Sequence, residues 1–279
     1  MKEITLSCSP DADDLFMVRA LLDGSIDTGG YCFVIDTQPT DSLNRLASGD
    51  GPDVVAISVA HYPAVAQGYQ MLPHGGSMGE NYGPVVVSPK PMTLADLRSA
   101  RIAVPGLTTT AYTTLRMITE FIPEVVPITP YERIFEAMER GEVDAGLIIH
   151  EGRLTYEDRG LFKVLDIGEW WYEHTRGLPL PLGANAIKRS LGSVHITAIS
   201  SYLRESIRHA LQDRTAAIQW LLDRKGPLNT ETRVSQYLHM YANERTLDYG
   251  KEGRDAVQTY LTLAHERGLL PQAVVDFAP

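Results

Sequence analysis

Over roughly its first 150 residues the chain alternates two kinds of segment. Short apolar runs rich in β-branched residues take turns with stretches whose apolar positions recur at helical spacing. Residues 3–8, 31–35, 54–59, 85–87, 101–104, 125–128 and 143–149 read as strands. Residues 15–22, 40–47, 60–66, 94–97 and 131–140 read as helices between them. Such alternation predicts parallel βαβ units and confines the chain to the α/β class. Past Gly183 the pattern changes, and residues 198–222, 231–243 and 253–268 predict long helices with no strand between them. The expected division is a larger α/β lobe, residues 1–88 with the helical tail 186–279, and a smaller one, residues 89–185. Crossings near 88 and 185 would leave a ligand cleft between the lobes.

Charge and composition narrow the function. A formal net charge of −10 over 279 residues, with no visible cluster of Lys and Arg, argues against nucleic acid. The same charge will not gather an anionic ligand, so local dipoles would have to hold one. No run approaches the roughly eighteen apolar residues of a membrane span. The opening Met1-Lys2-Glu3-Ile4-Thr5-Leu6 lacks the apolar core of a secretory signal. Cys8 and Cys32 both lie in apolar runs and are expected to be buried free thiols. A cytoplasmic setting is therefore expected.

Three strand ends carry the chemistry. The run Ala145-Gly146-Leu147-Ile148-Ile149 delivers His150, Glu151 and Arg153 at its carboxyl end, where open α/β sheets place ligands. His150 is a side chain able to move protons near neutral pH; a solvated loop histidine is the plainer alternative. Ser58 and the pair Thr109-Thr110 follow buried strands and precede helices. There, unpaired N–H groups favour carboxylates or phosphates, although Ser and Thr are also ordinary helix caps. Asp11, Asp13 and Asp14 suit capping and hydrogen bonding near the site better than a metal, for want of further ligands at a recognisable spacing. A glutamate one residue beyond the histidine is expected to point away from it, and the cleft-facing member of Glu151 and Arg153 stays open. His61 and His74 are weaker candidates. Trp170-Trp171 reads as packing.

These segments resemble the 1,4-dihydroxy-6-naphthoate synthases, menaquinone-biosynthesis enzymes of the futalosine pathway. The resemblance rests on Gly146-Leu147-Ile148-Ile149-His150-Glu151-Gly152-Arg153-Leu154-Thr155-Tyr156. Ala103-Val104-Pro105-Gly106 with Thr109-Thr110-Ala111-Tyr112, Gly177-Leu178-Pro179-Leu180-Pro181-Leu182-Gly183, Tyr241-Ala242-Asn243 with Leu247-Asp248, and Gly250-Lys251-Glu252-Gly253-Arg254 support it. It implies a two-lobed, periplasmic-binding-protein-like (type II) fold. It also implies a carbon–carbon lyase that needs no cofactor or metal and cleaves cyclic dehypoxanthine futalosine to the dihydroxynaphthoate and dihydroxyacetone. His150 is then the general base. Ala56-Ile57-Ser58, Thr109, Thr110 and Asp14 bind a small anionic aromatic substrate; homodimer formation stays open. Two segments differ from the family's common pattern: Asp11-Ala12-Asp13-Asp14 stands where Cys-Pro-Asn-Asp is frequent, and Ala56 where lysine is common. A solute-binding protein of the same fold and the chorismate-dehydrating sister enzyme are the alternatives.

Overall fold

The computed structural model describes all 279 residues. Strands β1 (Lys2–Cys8), β2 (Tyr31–Thr37), β3 (Val54–Ser58), β4 (Tyr69–Met71) and β5 (Ser77–Gly79) belong to one sheet. Strands β6 (Val85–Ser88), β7 (Arg101–Val104), β8 (Glu124–Pro127), β9 (Ala145–Ile148) and β10 (Phe162–Asp166) form the other, and β11 (Leu180–Lys188) returns to the first. Helices α1 (Ala12–Leu22), α2 (Thr40–Ala47) and α3 (Tyr62–Val65) accompany the first sheet. The short helices α4 (Thr110–Ile118), α5 (Arg133–Glu139) and α6 (Ile167–Thr175) accompany the second. The tail is α7 (Ser193–Gln212), α8 (Arg214–Asp223), α9 (Glu231–Tyr241), α10 (Glu244–Leu247) and α11 (Gly250–Glu266).

The expected parallel units are present: β1 pairs in parallel with β2 and β3, and β7 with β8 and β9. The sheets are nevertheless mixed. β11 lies antiparallel to β3, β4 and β5, and β6 antiparallel to β9 and β10. β11 falls where no strand was expected because Pro181 and Gly183 read as loop. Its register shifts between those two residues, and an irregularity of this kind accommodates a residue with no N–H. Since β6 pairs in the second sheet and β11 begins at Leu180, the chain crosses between sheets at 80–84 and 167–179. Both crossings come before the expected positions near 88 and 185. The long helix expected over 198–222 is two helices. Asp213 breaks it and caps α8 by accepting the Ala216 N–H (3.0 Å).

The two crossings touch each other through glycine. A Cβ on Gly168 would lie 2.0 Å from the Tyr82 carbonyl carbon, and one on Gly83 would lie 2.8 Å from the Gly168 nitrogen. Behind them an apolar cluster including Trp171, Tyr260, Leu180 and Val85 runs from one sheet into the other. From the tail, α7 packs on α1, and α9 lies against β5 and the turn that carries His150. No helix is long and apolar enough to cross a membrane.

Candidate active site

A cavity opens between the sheets, at the carboxyl ends of β3, β7 and β9. Asp14, Ala56, Ile57, Ser58, Thr109, Thr110 and His150 all line it. The reason is topological: each follows or ends a parallel strand, and parallel strands of one sheet deliver their carboxyl ends to one edge.

His150 opens the one-turn helix after β9 with φ of 51°, a left-handed conformation that histidine tolerates better than most side chains. Its imidazole is held from both ends. Thr40 Oγ1 at the start of α2 lies 3.0 Å from Nε2, and Asp11 Oδ2 at the start of α1 lies 3.3 Å from Nδ1. Both partners belong to the first sheet's side of the cleft, while His150 comes from the second's. Glu151 does turn away from His150, as expected, and crosses the cleft. Its Oε1 accepts the Ala12 N–H (2.8 Å), and its Oε2 lies 3.5 Å from the Tyr131 hydroxyl that donates to it. Arg153 faces elsewhere, bonding Asp166 (2.6 Å) and the Gly83 carbonyl beside Tyr82.

The aspartates do little of the capping expected of them. Asp11 occupies the N-cap of α1 without a side-chain cap bond, its carboxylate lying against His150 instead. Asp14 accepts the Ser9 N–H (2.7 Å), and Asp13 accepts the Tyr237 hydroxyl (3.1 Å). Burial lifts Asp11 to about 7, with the hydrogen bond from Glu151 opposing the rise. Burial, and then the charge of Asp14, lift Asp13 from an ordinary 3.8 to about 7. Burial also raises Asp14, and raises Glu151 well above the carboxylate range. Groups so displaced cluster at functional sites, and they also affect stability. Between pH 4 and 7 the unfolded chain releases the Asp13 proton while the folded protein retains it, so stability falls as pH rises. Asp13→Asn keeps an acceptor for Tyr237 and removes that loss. Its melting temperature is expected to exceed the wild type's by about 5 °C at pH 8 and to match it near pH 4. Equal melting curves at pH 8 would show that Asp13 carries no such burden.

The threonine hydroxyls are engaged within the protein. Thr109 Oγ1 donates to the Gly106 carbonyl and accepts the Tyr112 N–H. Thr110 Oγ1 donates to the Leu182 carbonyl (2.7 Å) and accepts the Ala60 N–H. These bonds cap α4 and tie it to the first sheet. The Thr110 and Ala111 N–H groups, at the cavity wall, have no acceptor within the helix. Ser58 accepts Asn44 Nδ2 (3.0 Å), which leaves its own hydroxyl proton free to donate. No Lys or Arg lines the cavity. An anion there must rely on N–H groups, a hydroxyl and the dipole of α4.

Sequence reasoning missed Thr40, Tyr237 and Tyr241, all of which line the cavity. The tyrosines stand four residues apart on α9, a spacing that places both on one helical face; that was the signal available. His61 contacts Ser48, and burial lowers its pKa. His74 contacts Ser200, is lowered to about 4, and like His61 stays outside the cavity. Trp171 is core, its Nε1 donating to the Pro179 carbonyl, and Trp170 stacks on His174. Both cysteines are free. Cys8 is buried as expected, but Cys32 is exposed, because β2 is an edge strand with one face uncovered.

Comparison with known proteins places this geometry in context. The model of a family described as menaquinone biosynthesis matches residues 4–266. A 1,4-dihydroxy-6-naphthoate synthase of Streptomyces coelicolor is 36% identical over 273 residues, covering 96% of this chain and 95% of its own. One from Thermus thermophilus is 37% identical over 270 residues, covering 96% of each. The crystal structure of an Archaeoglobus fulgidus protein superposes with a TM-score of 0.87 at 37% identity, over 96% of this chain and 98% of that one. The alkanesulfonate-binding protein of Xanthomonas axonopodis pv. citri superposes at 0.70 with 16% identity, over 99% and 96%. At that identity the likeness speaks for a periplasmic-binding-protein-like fold alone.

Proposed function

The chain belongs to the menaquinone biosynthesis family, and from that premise we propose that it is a cytoplasmic 1,4-dihydroxy-6-naphthoate synthase. In this reading it is a carbon–carbon lyase acting on cyclic dehypoxanthine futalosine, with His150 as general base. The observation that carries the base assignment is the placement of His150. It lines the cleft beside the start of α4, with a carboxylate behind Nδ1 and a hydroxyl at Nε2.

The steps follow from the groups at hand. The substrate's aromatic carboxylate sits at the Thr110 and Ala111 N–H groups and the Ser58 hydroxyl, where α4 adds its dipole. A substrate hydroxyl replaces Thr40 at Nε2, and His150 removes its proton. The alkoxide opens the ring, and a retro-aldol-like cleavage releases dihydroxyacetone while the second ring becomes aromatic. Base assistance contributes roughly 10²–10⁴-fold, and holding the reacting bonds in a closed cleft contributes more. No cofactor is needed for proton removal followed by cleavage next to a carbonyl.

The test is direct. Purified protein incubated with cyclic dehypoxanthine futalosine is expected to yield the dihydroxynaphthoate mass and dihydroxyacetone in equal amounts. A thermal shift with that compound but no product would instead indicate a binding protein. Turnover of chorismate alone would point to the sister enzyme.

A further inference from the structure

We infer that Asp11 is a positioning residue for His150. From the opposite side of the cleft it holds the proton on Nδ1, so that Nε2 faces the substrate as a free base. The inference rests on the reading of His150 as general base and extends it to the part played by the carboxylate behind Nδ1.

The geometry makes the case in three parts. Asp11 Oδ2 is 3.3 Å from Nδ1, and the carboxylate is buried at 6% exposure, so the imidazole is a partner that bulk water cannot readily replace. At apo distances such contacts are often long and shorten when substrate closes the site. Second, Asp11 sits at a helix N-cap but makes no cap bond. A carboxylate at that position would ordinarily turn back to its own helix. Here Asp11 turns from its helix toward the ring, while Glu151 crosses the cleft and accepts the Ala12 N–H at the same helix start. Third, Glu151 is 1% exposed and beside Asp11. Two buried carboxyls in contact cannot both ionise readily, so they share one proton. Asp11 is the member of the pair that faces His150, and an imidazole N–H there favours the charge on Asp11, which leaves the shared proton to Glu151.

The resulting line runs Glu151–Asp11–His150–Thr40, with Asp11 and Thr40 supplied by the first sheet and Glu151 and His150 by the second. During reaction Nε2 gains the substrate proton, Nδ1 keeps its own, and Asp11 stabilises the resulting imidazolium without being protonated. In the serine-protease arrangement, replacing the orienting aspartate by asparagine lowers turnover about 10⁴-fold through the wrong tautomer. The line also crosses the cleft, so opening the lobes would separate His150 from its orienting carboxylate.

The experiment combines kinetics with nitrogen-15 NMR of histidine-labelled full-length protein. In the wild type, His150 is expected as the Nδ1–H tautomer at pH 8. In Asp11→Asn, the side-chain amide donates to Nδ1 and the Nε2–H tautomer is expected to dominate. Turnover should fall at least about 100-fold, with KM changed by less than about threefold. An Nε2–H tautomer in the wild type overturns the inference, and so does an unchanged tautomer in the variant. Turnover in Asp11→Asn within about threefold of the wild type overturns it as well. The wild-type spectrum decides the matter even if the variant folds poorly. Absence of wild-type turnover on cyclic dehypoxanthine futalosine would sink the proposed reaction, while the spectra would still report on Asp11.

Discussion

Replacing His150 with alanine is expected to abolish most turnover while leaving substrate binding nearly intact. The groups assigned to the carboxylate, Ser58 Oγ and the first N–H groups of α4, belong to other strand ends, so KM should stay within a few-fold. Turnover should drop by roughly 10²–10⁴, the usual contribution of a positioned base. The backbone needs separate control, because φ at position 150 is 51° and a non-glycine residue there is strained by about 1 kcal/mol or more. His150→Asn provides that control: asparagine adopts the left-handed region readily yet cannot act as the base. Both variants should lose product to a similar degree in a mass-spectrometric assay. Loss confined to the alanine variant would trace the effect to the backbone rather than to proton transfer.

The largest expected effect on stability comes from Gly168→Ala. The added methyl would lie 2.0 Å from the Tyr82 carbonyl carbon and 2.1 Å from its oxygen. The obstacle is backbone, so no rotamer change relieves it. Either the two crossings move apart or α6 shifts on the core around the fully buried Trp171. Overpacking of this kind costs roughly 3 kcal/mol, or a fall in melting temperature of about 6 °C for a chain this size. Gly226→Ala is the matching control, because nothing lies within 4 Å of a Cβ there. A melting point for Gly168→Ala within 2–3 °C (about 1 kcal/mol) of the wild type would mean that the crossings are not tightly seated on each other.

Much of the site was legible before the fold was known. Ser58, Thr109-Thr110 and His150 each stand after an apolar run, and an apolar run between turn signals is a strand whatever it pairs with. Strand ends of parallel units converge, so three separate segments could be assigned to one cleft. The partners of these residues were not legible. Ala12 and Glu151 are 139 positions apart, and nothing local in Asp11-Ala12-Asp13-Asp14 marks one aspartate as free of its helix. The partners of the Thr110 hydroxyl were hidden for the same reason: it donates to Leu182 and accepts from Ala60, which approach it only when the sheets close on each other.

The sequence by itself determined the α/β class, the strand ends that line the cleft and the family, because apolar periodicity and short motifs are properties of adjacent residues. Only the tertiary structure decided that β11 inserts antiparallel beside β3, that the crossings meet at Gly83 and Gly168, and that Asp11 faces His150 while Glu151 caps α1. Each depends on which distant segment arrives at a given place. That arrival is set by the combined packing of two sheets and eleven helices, which no local pattern encodes.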